Sequence, residues 1–355
     1  MIVRWVAALV AFVVVAFVGI VVLGDFSAEA AANNWALVAA IGLVVAFAAY
    51  AAVEFFQTGG FASIARQFDT RTIVLMPLAI ALNIILGAAV GNALKVPIYL
   101  DSIGTILVGA LAGPIPGALT GFLSNILWTY VVPPPFNGSA AAAFAIVAAV
   151  IGLLAGIFGR AGWLRPRPNR SLSQLGIGAV VTVALILGLG YLAFLGYQAI
   201  IGPSGLQVAS DQPIFVILGY FALALVGATI AGLLLLLFVR RDLTAAYVVV
   251  AGVITGIIAA LISAPISANL FSGVTGSGTD FLVAAFRQAG SDIQTATFQQ
   301  GLLSDPVDKL VTFFVVYLIL NAMARRTKAR FPQGERLLDA GEPTVEGGEW
   351  RGATA

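Results

Sequence analysis

Ten long stretches of this chain are almost free of charge: 2–24, 35–56, 72–94, 97–113, 115–133, 140–160, 173–198, 213–239, 244–268 and 306–324. A bilayer core about 30 Å thick is crossed by about 20 apolar residues in a helix. Inside lipid the backbone must satisfy its own hydrogen bonds, which leaves helices or a closed barrel, and stretches this long favour helices. The expected fold class is therefore all-α: a polytopic helical membrane protein with about ten hydrophobic segments. Composition agrees. Of 355 residues, 60% are hydrophobic and only 10% charged, against about a quarter charged in a soluble domain. Cysteine and histidine are both missing, which removes disulfides, thiol chemistry, imidazole-based zinc or haem ligation and histidine proton relays. No cofactor is expected. A net charge of +2 gives no reason to expect a nucleic-acid partner.

The basic residues set the orientation, because cytoplasmic loops retain arginine and lysine. With the N-terminus inside, Arg4, Arg66, Arg71, Arg160, Arg165, Arg167, Arg170, Arg240 and Arg241 fall inside, as do Arg325, Arg326, Lys328, Arg330, Arg336 and Arg351. Lys95, Arg287 and Lys309 fall outside. The expected topology is N-in and C-in, in a bacterial or archaeal cytoplasmic membrane. The first segment reads as an uncleaved helix in preference to a signal peptide, its apolar run exceeding a usual signal core. The 97–133 region, jointed at Gly113-Pro114-Ile115-Pro116, reads either as two spanning helices or as a re-entrant hairpin. Residues 325–355 read as a disordered cytoplasmic tail.

Neither a phosphate-binding Gly-x-x-x-x-Gly-Lys-Ser/Thr loop nor a catalytic constellation is present, so the chain is expected not to be an enzyme. No carboxylate stands near the middle of a confident segment, which argues against carriers driven by a buried acidic relay. Glycines recur every four residues, at Gly109, Gly113, Gly117 and Gly121, at Gly152 and Gly156, and at Gly252 and Gly256. Such stripes mark closely packed helices. The hexapeptide 117–122 also resembles 252–257, a faint internal repeat.

Polar residues single out candidate ligand contacts. Asn83 lies within the third segment, as a helix–helix hydrogen-bonding group or a pocket wall. Asp101 and Ser102 open the fourth, as an N-cap or a group facing a ligand from the outer mouth, with Lys95 nearby to balance charge. Asn125 and Trp128 share one face near the outer end of the fifth, as an interfacial belt or a site for a flat molecule. After the ninth, the helix is expected to end at Pro265. Asn269, Thr275, Ser277 and Asp280 then sit in a Gly-rich loop that reads as a binding lid, because the apolar run Phe281 to Phe286 should fold back on the membrane core. Few charges in this set suggest a neutral or weakly charged, partly aromatic small molecule.

Residues 82–87 (Leu-Asn-Ile-Ile-Leu-Gly), 97–105 (Pro-Ile-Tyr-Leu-Asp-Ser-Ile-Gly-Thr), 109–114 (Gly-Ala-Leu-Ala-Gly-Pro) and 117–121 (Gly-Ala-Leu-Thr-Gly) resemble the substrate-binding S components of energy-coupling factor (ECF) transporters. The resemblance covers mainly 72–160 and, more loosely, 244–325. It implies a membrane subunit that captures a vitamin-like substrate at the outer face under loops that act as a lid. A separate transmembrane coupling subunit and two cytoplasmic ATPases would then drive uptake. It also implies an organisation in which 1–71 adds two N-terminal helices to an S-component-like core at 72–324, with extra helices near 173–239. Family members usually have about six helices. Many carry two alanines four apart on the first core helix, where this chain has Ala79 and Asn83. The competing expectations are a membrane sensor working with a partner signalling protein, disfavoured by the lack of an output domain, and a stand-alone secondary transporter, disfavoured by the lack of buried charge.

Overall fold

A computed structural model describes residues 2–23, 31–89, 98–202, 205–206 and 213–339. The chain is helical almost throughout. In order, α1 is Ile2–Leu23, α2 Ala31–Thr58, α3 Ala62–Ala65, α4 Thr70–Leu86, α5 Ile103–Ala112 and α6 Pro114–Tyr130. A 3-10 turn, Ala141–Phe144, leads into α7, Ala145–Arg160. Then come α8, Leu172–Ile200, and α9, Pro213–Phe238, joined through a small antiparallel ribbon of Ile201–Gly202 with Gly205–Leu206. α10 is Thr244–Phe271, α11 Asp280–Gln288, α12 Ile293–Ala322 and α13 Arg325–Ala329.

Among the described residues, five helices are long and apolar enough to cross a membrane: Ile2–Val22, Ala31–Thr58, Thr70–Ala89, Ala141–Arg160 and Thr244–Phe271. Their outward faces carry large apolar side chains in the open, including Phe17, Phe56, Leu78 and Ile85. Apolar surface on that scale is stable against lipid and costly against water.

Six helices make the centre. α4, α5, α6 and α7 pack together, α10 lies along α12, and that pair closes against α5 and α7. The α1–α2 hairpin attaches through α2 to α7, while α8 and α9 lie against α10 and α12. The glycine stripes are where backbones meet. A Cβ on Gly152 would stand 2.1 Å from the Gly117 carbonyl oxygen, and one on Gly256 would stand 2.3 Å from Pro306 Cα. The two similar hexapeptides thus occupy comparable places, each on a rising helix that uses its glycines against a descending neighbour.

The arginine-rich ends are tied together. Arg4 meets Glu54 at 3.4 Å, Arg71 donates to the Arg330 carbonyl and Arg336 donates to the Arg160 carbonyl. The buried Asp242 carboxylate accepts from Arg167 N, Thr244 N and the Tyr317 hydroxyl at 2.9–3.0 Å. The tip of the α5–α6 hairpin reaches this same end, since a Cβ on Gly113 would touch the Gln67 and Gln333 side chains. The hairpin tip therefore lies at the arginine-rich end, although α5 itself has only 10 residues.

Three expectations need correcting. The last long helix starts at Ile293, well before residue 306, because Asp292 caps it by accepting from Thr295 N and Oγ1 at 3.0 and 2.7 Å. Those bonds hold the Asp292 carboxyl below its ordinary range. The first half of α12 is polar, so no apolar window marked it, yet its inner face is buried. Pro265 lies inside α10, which continues to Phe271 and stops at Ser272 in a left-handed turn with φ 48°. The expected disordered tail is ordered over 325–339: Gln333 N donates to the Leu111 carbonyl, and Leu337 and Leu338 are buried. Residues 340–355 lie outside the described set, as does Lys95.

Gly152→Val forces a branched side chain into the Gly117 backbone. It is expected to lower the melting temperature of the detergent-solubilised protein, overpacking of this kind costing about 1–3 kcal/mol. Gly176→Val, where a Cβ meets nothing within 4 Å, should leave it nearly unchanged. Circular dichroism melts of both variants make the comparison.

Candidate functional site

At the end of the bundle away from the arginine-rich end, α6, α7, α10 and α12 and the segments joining the central helices line a cavity of about 380 Å³. That is the volume range of small-molecule sites. Its wall includes Tyr99, Asp101 and Ser102 ahead of α5, Asn125 and Trp128 from α6, Phe144, Val147 and Ile151 around the start of α7, Ser263 and Ser267 from α10, and Gln300, Asp305 and Lys309 from α12. Thr275, Gly276 and Ser277 of the α10–α11 loop complete it. Among the described residues, α1, α2, α8 and α9 contribute nothing to this wall.

Each rim has a local cause. On α6, the Trp128 indole donates to the Phe136 carbonyl at 2.9 Å. Thr129 donates to the Gly138 carbonyl and accepts from Ala142 N, so the 131–140 loop is laid back over the helix end. The indole fits between Gly87 and Gly138, where a Cβ would stand 2.5 and 2.8 Å from the ring. On the opposite rim, Asp280 organises the glycine-rich loop. Its Oδ1 accepts from Thr275 N and Oγ1, and its Oδ2 accepts from Gly276 N. The Tyr99 hydroxyl, 2.7 Å from Thr279 Oγ1, joins that loop to the segment before α5. The adjoining α11 buries Leu282, Val283 and Ala285 and packs on α12, as the apolar run Phe281 to Phe286 implied.

Beneath the cavity lies a charged cluster. Lys309 and Asp308 form an ion pair with side chains 4% and 0% exposed. Lys309 Nζ also donates to Ser102 Oγ at 2.9 Å and stands 3.8 Å from Asp101 Oδ1. Asp308 Oδ1 accepts from Tyr99 N and Leu100 N at 3.0 and 2.9 Å. Leu100 has φ 52°, a left-handed conformation that a branched apolar residue rarely adopts. The carboxylate's grip on two successive amides is what holds it there. Asp305 is 6% exposed and lines the cavity, with the Ser304 and Ser263 hydroxyls donating at 3.2 and 3.3 Å. Gln300 donates in turn to Ser304 at 2.6 Å.

Six of the nine candidate residues thus meet in one wall: Asp101, Ser102, Asn125, Trp128, Thr275 and Ser277. Three do not. Asn83 is fully engaged between helices, donating to Thr105 and Ser124 and accepting from Gly104 N at 2.7–3.0 Å. Asn269 is exposed, bonded to the Pro265 carbonyl and to Gln294. Asp280 shapes the loop without lining the cavity. Asp101 finds its counter-charge in Lys309 from the far end of the sequence.

The expectation of no buried charge is overturned by Asp305, Asp308 and Lys309, all buried within α12. A segment starting at 306 excludes Asp305 and puts Asp308 and Lys309 at its outer end. The signal was present in the polar run 299–309, Gln-Gln-Gly-Leu-Leu-Ser-Asp-Pro-Val-Asp-Lys, whose polar side chains at 300, 304, 305, 308 and 309 recur at three- and four-residue spacing, so they fall on one helical face. Compared with known proteins, the chain matches no family model, no curated sequence and no solved structure.

Lys309→Met leaves the buried Asp308 carboxylate without its cation. It should destabilise the protein by about 3–5 kcal/mol, the usual consequence of breaking a buried pair. Adding Asp308→Asn should recover a large part of that loss. A double-mutant cycle on thermal or denaturant unfolding measures the coupling, and additive losses would contradict the pairing.

Proposed function

We propose that this chain is a membrane-embedded capture subunit for a small molecule, working as the S component of an ECF-type importer. The observation that carries the proposal is the cavity. It is walled by packed helices, rimmed by two loops, partly open, and lined by both polar and apolar side chains. Its lining comes from 72–160 and 244–325, the two stretches that resemble S components, and within them from α6, α7, α10 and α12 with the segments before α5, after α6 and after α10. In this reading the chain crosses the membrane ten times with both termini cytoplasmic. The cavity opens outward, opposite the arginine-rich end. The additional pairs α1–α2 and α8–α9 flank the core, and ATP hydrolysis and coupling belong to partner chains.

Function in such a subunit is binding followed by release. The two rims act as covers. Trp128 and Thr129 fix one, and Asp280 with Tyr99 fixes the other. A ligand sealed below them meets hydroxyl and amide groups that donate or accept as required, and an apolar face at Phe144, Val147 and Ile151.

The buried carboxylates Asp305 and Asp308 favour a second reading, a stand-alone carrier in which an intramembrane acidic group couples transport to an ion. One experiment separates the two. The chain purified from its native membrane is expected to carry a small molecule that is released on denaturation, and to co-purify with two ATPases and a coupling subunit. Trp128→Ala should lose the molecule while still inserting into the membrane. Uptake into liposomes by the chain alone, driven by an ion gradient without ATP, would establish the carrier instead.

A further inference from the structure

We infer that the ligand of this cavity is a cation: a protonated amine or amidinium group seated at Asp305, on a flat apolar body lying against Phe144, Val147 and Ile151. The inference rests on the capture reading and names the class of molecule captured.

It follows from which groups in the wall have a fixed hydrogen-bonding sense. The serine, threonine, asparagine and glutamine side chains both donate and accept, so they impose no charge on a ligand. Only the ionised groups do. Lys309 is the one cation in the wall among the described residues, and its donors are already directed inward, to Asp308, Ser102 and Asp101. Asp308 does not line the cavity, and its oxygens already take Lys309 on one side and two backbone amides on the other. Two of the three Lys309 donors are thus spent inside the cluster, and Asp101 stands 3.8 Å from the ammonium, so an anionic ligand approaching it would meet that carboxylate as well.

Asp305 differs. An ionised carboxylate offers about four acceptor positions, and Asp305 receives only two long hydroxyl contacts, at 3.2 and 3.3 Å. Among the described residues no lysine or arginine forms an ion pair with it. Asp101, its side chain 25% exposed, has its ion-pair partner Lys309 at 3.8 Å. Three carboxylates are thus gathered around one ammonium, and the two that line the cavity have acceptor capacity to spare. A carboxylate withdrawn from water is costly unless a cation or several donors compensate it, and the cavity places that vacancy within reach of a ligand. The apolar wall opposite accommodates the rest of the molecule.

Naphthamidine, naphthamide and naphthoate share one ring system and differ in charge, which makes them direct probes. Each would be added to the full chain in lipid nanodiscs, and its affinity read from the concentration dependence of the thermal unfolding shift. The expected result is that the amidine binds best, the amide more weakly and the carboxylate not at all. Asp305→Asn should weaken amidine binding by roughly 30-fold, the low end for losing one partner of a buried charge pair, while Asp305→Glu restores part of it. Equal or better binding of naphthamide or naphthoate to the unaltered chain would overturn the inference and leave the capture reading standing. So would a cation preference that survives Asp305→Asn. Absence of a shift with all three probes would remove the cavity as a small-molecule site, and both readings would fall together.

Discussion

Asp308 joins the two stretches of chain that build the cavity. It projects from the middle of α12, in the last third of the sequence, and grips two successive amides ahead of α5, some two hundred residues earlier. Its other oxygen holds Lys309, which holds Ser102. A buried ion pair is weak evidence for stability, because desolvation offsets most of the attraction. Its contribution here is positional. It keeps Leu100 in an unfavourable backbone conformation, presents Tyr99 to the loop above, and directs Asp101 and Ser102 into the cavity.

Around that point the molecule is built by close approach. Lipid gives no hydrophobic drive for helices to associate, so contact surface and backbone proximity must do it. The glycines of α6, α7 and α10 supply this, bringing helix backbones to distances that exclude a methyl group. The polar groups then follow two patterns. Those between helices, such as Asn83 and Asp242, have their bonding capacity met by protein. Those around the cavity bond largely to one another, and Asp305 there receives two hydroxyl contacts at 3.2 and 3.3 Å.

The loops gain their order from the same economy of polar groups. Asp280 would look like a ligand contact in any glycine-rich loop, yet both its oxygens accept from that loop's own groups. It acts on a ligand through the position of Thr275 and Ser277. Trp128 has a double role, its N–H fixing one cover while its ring lines the space beneath. A cavity roofed by two separately anchored loops can open at either edge without disturbing the helices below.

Charge-free stretches and glycine spacing determined that the chain is a helical membrane protein and which faces pack closely, because each is a local or periodic property of the chain. Asp101, Ser102, Asn125, Trp128, Thr275 and Ser277 were legible for a related reason: polar residues at helix ends in an apolar chain have few bland explanations. The charged cluster was legible only as a polar helical face in 299–309, not as a buried one. The first half of α12 is too polar to register as a membrane segment, and the cover of α10, α11 and α5 makes it an interior helix. Whether Asp305 is solvated or buried, whether Lys309 faces water or Asp308, and whether Asn83 bonds a ligand or two helices all depend on what lies opposite. That is fixed by contacts between residues far apart in sequence, and only the tertiary structure could decide it.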